Sequence, residues 1–396
     1  MKKFVFFVFI AILSSAAVFA VSEEIDVYAY LYNQSITNTA QLDILQQMAE
    51  LRLIGAGEFY ASALRRLVST YGNISNVTER NAADEQAIIL SYLLGTEKYT
   101  PAASDLWLLV DQFREPLVKA EAMMALGKIR ATSFLPQVIR VLESTNVAPT
   151  PDRLHGERIA FGAIIALEKY QDPSGYLPVF FASQGWYSRR VKDQALKSLP
   201  YIARDPTPYL VQIINGAQYN HPTRYAAIQT IEASSADTKS KAGAAVAAFD
   251  RGWAVSASDP EGRAARVNMR LYAMRMINRY KTDDESVYPL LERSIREGTM
   301  DEKLPAIATL ASLGTESAAR RLSDHLMVLN RKFVNMNDSF GQGQSARDDE
   351  TILRAVIDAL GKAKQPIGRP ALNQTIALNY TNAIKNLARD ALREIN

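Results

Sequence analysis

The stretch Glu115–Ser144, EPLVKAEAMMALGKIRATSFLPQVIRVLES, decides the fold. Val118, Ala122, Ala125 and Leu126 fall at offsets of four, seven and eight, which share one face of a 3.6-residue helix. Gly127 closes that apolar stripe, and Lys128 and Arg130 stand where cations suit a helix C-terminus. After a short turn, Phe134, Leu135, Val138, Ile139 and Leu142 repeat the helical spacing. Two such helices cannot bury their apolar faces alone in water. Stacking copies of the pair buries them, which is the physical logic of a solenoid.

The copies can be counted outward from Leu126, with a small residue four positions before the anchor and an apolar one eight before. The same frame fits Ile159/Ala163/Leu167, Val191/Ala195/Leu199, Thr223/Ala227/Ile231, Met269/Ala273/Ile277, Glu302/Ala306/Leu310, Ile352/Val356/Leu360 and Ile384/Ala388/Leu392. Leu94-Gly95 and Ile54-Gly55 fit its end upstream. The position eight back fails at Thr223 and Glu302, whereas the small residue four back is nearly constant and lets a paired helix approach closely. Longer spacings coincide with polar or Pro-containing inserts near Thr145–Arg153, Ser256–Gly262 and Asn335–Asp349. The last of these is the longest break and reads as a mobile loop.

VKAEAMMALGKI (Val118–Ile129), ILRAVIDALGKA (Ile352–Ala363) and AIKNLARDALREI (Ala383–Ile395) resemble the HEAT-repeat family, including its short prokaryotic type. The resemblance covers roughly residues 38–396. It implies an all-α, right-handed α–α superhelix of about nine or ten helical-hairpin repeats, organised as a single solenoid. It also implies that the second helix of each repeat lines the concave, recognising face. The exposed candidates there are Arg140, Gln212, Arg293, Arg296 and Arg321.

Residues 1–20, MKKFVFFVFIAILSSAAVFA, read as a secretory signal peptide. Lys2 and Lys3 are its positive region, Phe4–Leu13 its apolar core and Val18-Phe19-Ala20 its cleavage pattern. An uncleaved anchor is the alternative reading. The chain has no cysteine, so it has no disulfide, no thiolate chemistry and no lipidation cysteine. An exported, periplasmic location is expected. Residues 21–37 read as a lead-in that caps the open end of the first repeat.

The formal charge is +3, and loss of Lys2 and Lys3 leaves 43 basic against 42 acidic residues. With no block of like charge, nucleic acid is not an expected partner. Arg263, Arg266 and Arg270 share one helical face, and Arg275 and Arg279 continue a basic surface along the same helix. That helix suits cell-wall carboxylates or anionic headgroups at a membrane surface. Trp186 and Tyr187 with Arg189 and Arg190 carry interface residue types, but a turn-borne Trp more often packs between repeats.

His155, His221 and His325 lie in separate repeats, and no metal-binding, nucleophile-elbow, phosphate-loop or dinucleotide motif accompanies them. No cofactor and no metal are expected. The primary expectation is therefore an exported scaffold, not an enzyme, that binds another protein in an envelope complex. An envelope-bound structural protein acting through the arginine helix is the first alternative, and an enzyme on a helical scaffold is the second.

Overall fold

The computed structural model describes residues 23–53 and 55–395. The signal peptide read in residues 1–20, and Ile54, lie outside the described residues. All regular structure among the described residues is helical, and it falls into two compact units that divide between Arg204 and Asp205. Each is an α-solenoid.

The first unit holds α1 (residues 23–34), α2 (Asn38–Leu51), α3 (Gly57–Tyr71), α4 (Val77–Glu97), α5 (Ala103–Gln112), α6 (Pro116–Lys128), α7 (Leu135–Val147), α8 (Arg153–Tyr170), α9 (Tyr176–Gln184) and α10 (Arg189–Ile202). The second holds α11 (Thr207–Asn215), α12 (His221–Ala233), α13 (Thr238–Ala254), α14 (Pro260–Tyr280), α15 (Val287–Glu297), α16 (Met300–Leu313), α17 (Glu316–Asn335), α18 (Gln344–Ala363), α19 (Arg369–Ala377) and α20 (Asn382–Glu394). Within each unit the even-numbered helices from α2 onward pack neighbour to neighbour as one layer, and odd-numbered helices form the other.

Each anchor frame from Leu94 onward falls on an even-numbered helix. Ala122, Ala163, Ala195, Ala227, Ala273, Ala306, Val356 and Ala388, the residues four before each anchor, are all fully buried. A small side chain there lets layer neighbours close up without a void.

The glycine after the anchor does a different job from the helix stop that its position suggests. Gly127 is still inside α6, and a Cβ on it would stand 2.7 Å from the Ala166 backbone of α8. Gly95 of α4 meets Ala125 of α6, and Gly361 of α18 meets Ala391 of α20, both at 3.0 Å. Each glycine faces the residue just before the next anchor, so this is a close-approach position between layer neighbours. The left-handed C-terminal residues are mostly long polar ones: Arg52, Lys98, Arg130, Gln171, Lys281 and Lys364.

The lead-in forms a helix over residues 23–34. Tyr32 of α1 is buried; its hydroxyl donates to Gln86 Oε1 of α4 at 2.8 Å, and its ring meets Phe59 of α3 edge-on. The break expected over Asn335–Asp349 is shorter, because α18 begins at Gln344. Asn337, Asp338, Gly341 and Gly343 turn it with positive φ. Beside that turn lies a cleft of about 420 Å³ walled by Phe340, Tyr380 and Ile384. Among the described residues no helix is long and apolar enough to cross a membrane.

Candidate binding site

Two arginines of the second unit close on one tryptophan. The last turn of α13 carries Gly252 and Trp253. Asp259 caps α14 by accepting from the Gly262 N–H at 2.7 Å, which starts that helix and sets the azimuth of Arg263, Arg266 and Arg270. Arg270 then lies over the Trp253 ring at 4.1 Å, while Arg293 of α15 lies against the same ring at 4.6 Å. Trp253 Nε1 donates to Ser294 Oγ at 3.3 Å. Trp253 is thus fixed between two guanidinium groups.

Arg270 corrects the expectation of a five-arginine exposed face. Its side chain is 3 % exposed and that of its partner, Glu302 of α16, 1 %. Arg270 Nε donates to Glu302 Oε1 at 2.6 Å and its Nη1 to the Gly252 carbonyl at 2.9 Å. Glu302 Oε2 accepts from the Thr299 backbone N–H at 3.1 Å and lies 3.2 Å from the Thr299 hydroxyl, closing the capping box of α16. Glu302 therefore departs from the repeat pattern because it answers a buried cation from the neighbouring helix. The rest of the arginine helix is divided as well. Arg279 pairs with Glu232 of α12 at 3.2 Å, Arg275 lies over Tyr272, and Arg263 donates to the Ser258 carbonyl. Arg266 is partly buried and carries no ion pair.

Two of the five second-helix candidates, Arg296 and Arg321, meet at one carboxylate. Glu292 of α15 takes Arg296 at 3.5 Å and Arg321 of α17 at 2.7 Å, and Arg293 pairs with Glu297 at 2.8 Å. Gln212 is exposed on α11, and Arg140 is exposed on α7 of the first unit. His325 of α17 lies close by; burial, then Lys303, pulls its pKa down, with Arg296 acting the same way and Glu292 and Asp349 opposing. Among the described residues no three His, Asp or Glu groups come together as a metal would need. The other aromatic cluster packs as expected. Trp186 Nε1 donates to the Thr145 carbonyl at 2.9 Å, and the buried Tyr187 donates to Asn146 Oδ1 at 2.8 Å.

Sequence reasoning missed Trp253 and Glu302 as members of the site. Glu302 had left a signal: it was a charged residue where the frame demanded an apolar one.

No family model matches the chain, and no curated protein matches it. A solved structure that it matches is "Structure of human deoxyhypusine hydroxylase in complex with glycerol", at 17 % identity, covering 96 % of this chain and 98 % of that one, with a TM-score of 0.26. So low a TM-score transfers no site and no substrate. The all-helical hairpin architecture fits a HEAT-like fold. The expectation that the chain is not an enzyme is withdrawn; the matched protein is an enzyme by its name, but it is too dissimilar to assign this chain an activity. Lack of a motif does not exclude catalysis in such an array, because groups on separate helices meet in space, as Arg270 and Glu302 do.

Proposed function

We propose that the chain is an exported protein-binding scaffold of the short prokaryotic HEAT-like type. It holds an acidic segment of a partner protein on the odd-numbered helices of its second unit. The observation that carries this reading is the row of Arg293, Arg296 and Arg321 across α15 and α17, beside the arginine-clamped Trp253. Trp and Arg are the residue types that most often dominate interface energetics. Guanidinium groups held by the α15 carboxylates Glu292 and Glu297 keep a fixed fork for a partner's carboxylates. Export rests on the tripartite N-terminal pattern. The arginine-helix alternative is weakened by Arg270, which is buried against Glu302 and cannot face a ligand.

The test is capture from envelope extract by the wild-type chain and by a triple variant, Arg293→Glu, Arg296→Glu and Arg321→Glu. A stoichiometric partner held by the wild type and lost by the variant supports the reading. Equal capture by both overturns it.

A further inference from the structure

We propose that the corner of the second unit formed by the start of α12, the end of α13 and the start of α14 is an oxyanion site, taking a carboxylate or phosphate group. Its residues are His221, Arg224, Arg251 and Arg266. It is distinct from the Arg293–Arg296–Arg321 row, so a small anion can fill it with no partner present.

Arg224 is 1 % exposed; its Nη2 donates to the Gly216 carbonyl at 2.8 Å, but its Nε has no acceptor. One turn earlier on α12, His221 is 3 % exposed, and its ring nitrogens make no well-formed hydrogen bond although the Val255 and Ser256 carbonyls lie beside the ring. Arg251 and Arg266 each bury Nε without an acceptor, and neither forms an ion pair. Both residues are otherwise partly exposed, so a ligand can reach them from solvent.

The four groups form one corner. The end of α13 is held on α14 by the Arg270–Gly252 hydrogen bond, and Gly252 sits so close that a Cβ would lie 2.6 Å from Arg270 Cγ. His221 feels the charge of both Arg224 and Arg266, and Arg224 feels that of Arg251. The carboxylates that act here are already engaged: Asp259 by the Gly262 N–H and Glu302 by Arg270 and Thr299.

Buried donors in folded proteins nearly always have acceptors. Arginine cannot escape by deprotonation. The unmet Nε donors of Arg224, Arg251 and Arg266 therefore call for an anion from outside, and the fork geometry of guanidinium matches carboxylate and phosphate oxygens.

The experiment is thermal unfolding of the full chain in inorganic phosphate, in citrate and in chloride, at matched ionic strength. Arg251→Gln, Arg266→Gln and the control Arg140→Gln are measured alongside. The expected result is a saturating rise in Tm, about 5 °C at a hundredfold excess over Kd. It appears in wild type and Arg140→Gln and is lost in Arg251→Gln and Arg266→Gln. A rise in phosphate alone identifies a phosphate site, and a rise in citrate alone a carboxylate site; either supports the proposal. No rise in either anion, or the same rise in all four proteins, overturns it. In chloride alone Arg266→Gln is expected to melt above wild type, since it removes an unpaired charge. A lower melting point there would count against the site.

Discussion

Single residues in this fold divide by what stands opposite them. Gly127 and Gly243 are both helical glycines, but only Gly127 follows a repeat anchor. A Cβ on Gly127 would meet the Ala166 backbone, whereas one on Gly243 meets nothing within 4 Å. Gly127→Ala is expected to destabilise by about 1–3 kcal/mol through overpacking, because α8 has no flexible side chain there to give way. Gly243→Ala is expected to stabilise by about 0.5–1 kcal/mol through helix propensity and a less disordered unfolded chain. Urea midpoints of the two variants check this, and a stabilised Gly127→Ala would contradict the close-approach role. The buried histidines give a pH signature. Burial is the main cause that holds His221 below its ordinary value; Arg224 and Arg266 add to it, while the Val255 and Ser256 carbonyls oppose. His325 is shifted in the same direction. A base with a depressed folded pKa binds fewer protons folded than unfolded, so stability rises with pH across that window. Stability should be full above about pH 6.5 and decline as pH falls below it. The double variant His221→Gln with His325→Gln should flatten that decline in denaturant midpoints between pH 8 and pH 5.

At the scale of the element, α14 shows why part of the site was illegible. Its arginine spacing correctly implied one shared face, but a helical wheel does not say what lies across from that face. An even-numbered helix in a two-layer array is covered by its hairpin partner and by layer neighbours on both sides. Arg270 therefore points into α16 and α13 rather than into water. The anchor frames were legible because they reflect contacts repeated in every hairpin; the Arg270–Glu302 pair was not, because it occurs at one junction. Removing one member leaves the other charged and buried. Glu302→Leu is expected to cost about 3–5 kcal/mol, while Arg270→Met with Glu302→Leu should recover most of the loss. Denaturant unfolding of the two singles and the double forms the cycle that measures the coupling. Additive losses would show that the pair is not the unit of stability.

Across the whole molecule, charge is balanced overall and uneven locally. The sequence carries 45 basic and 42 acidic residues, so there is no net field to draw an acidic partner to the chain at large. Any electrostatic component of binding must come from a local basic group such as that of α14, α15 and α17. Composition alone gave the near-neutral total and hid this unevenness, because opposite charges far apart in space cancel in a count. Local charge acts over about 8–10 Å at moderate salt. Partner association by the wild-type chain should therefore slow by about tenfold between 50 and 500 mM NaCl, with dissociation changing less. In Arg296→Gln with Arg321→Gln the slope of association rate against salt should be visibly shallower, while circular dichroism and the melting point stay close to wild type, since both are surface pairs worth little to stability. Stopped-flow or biosensor association rates at four salt concentrations supply the comparison. An unchanged slope in the double variant would place the binding surface elsewhere in the chain, with the exposed Arg140 and Gln212 as the next positions to substitute.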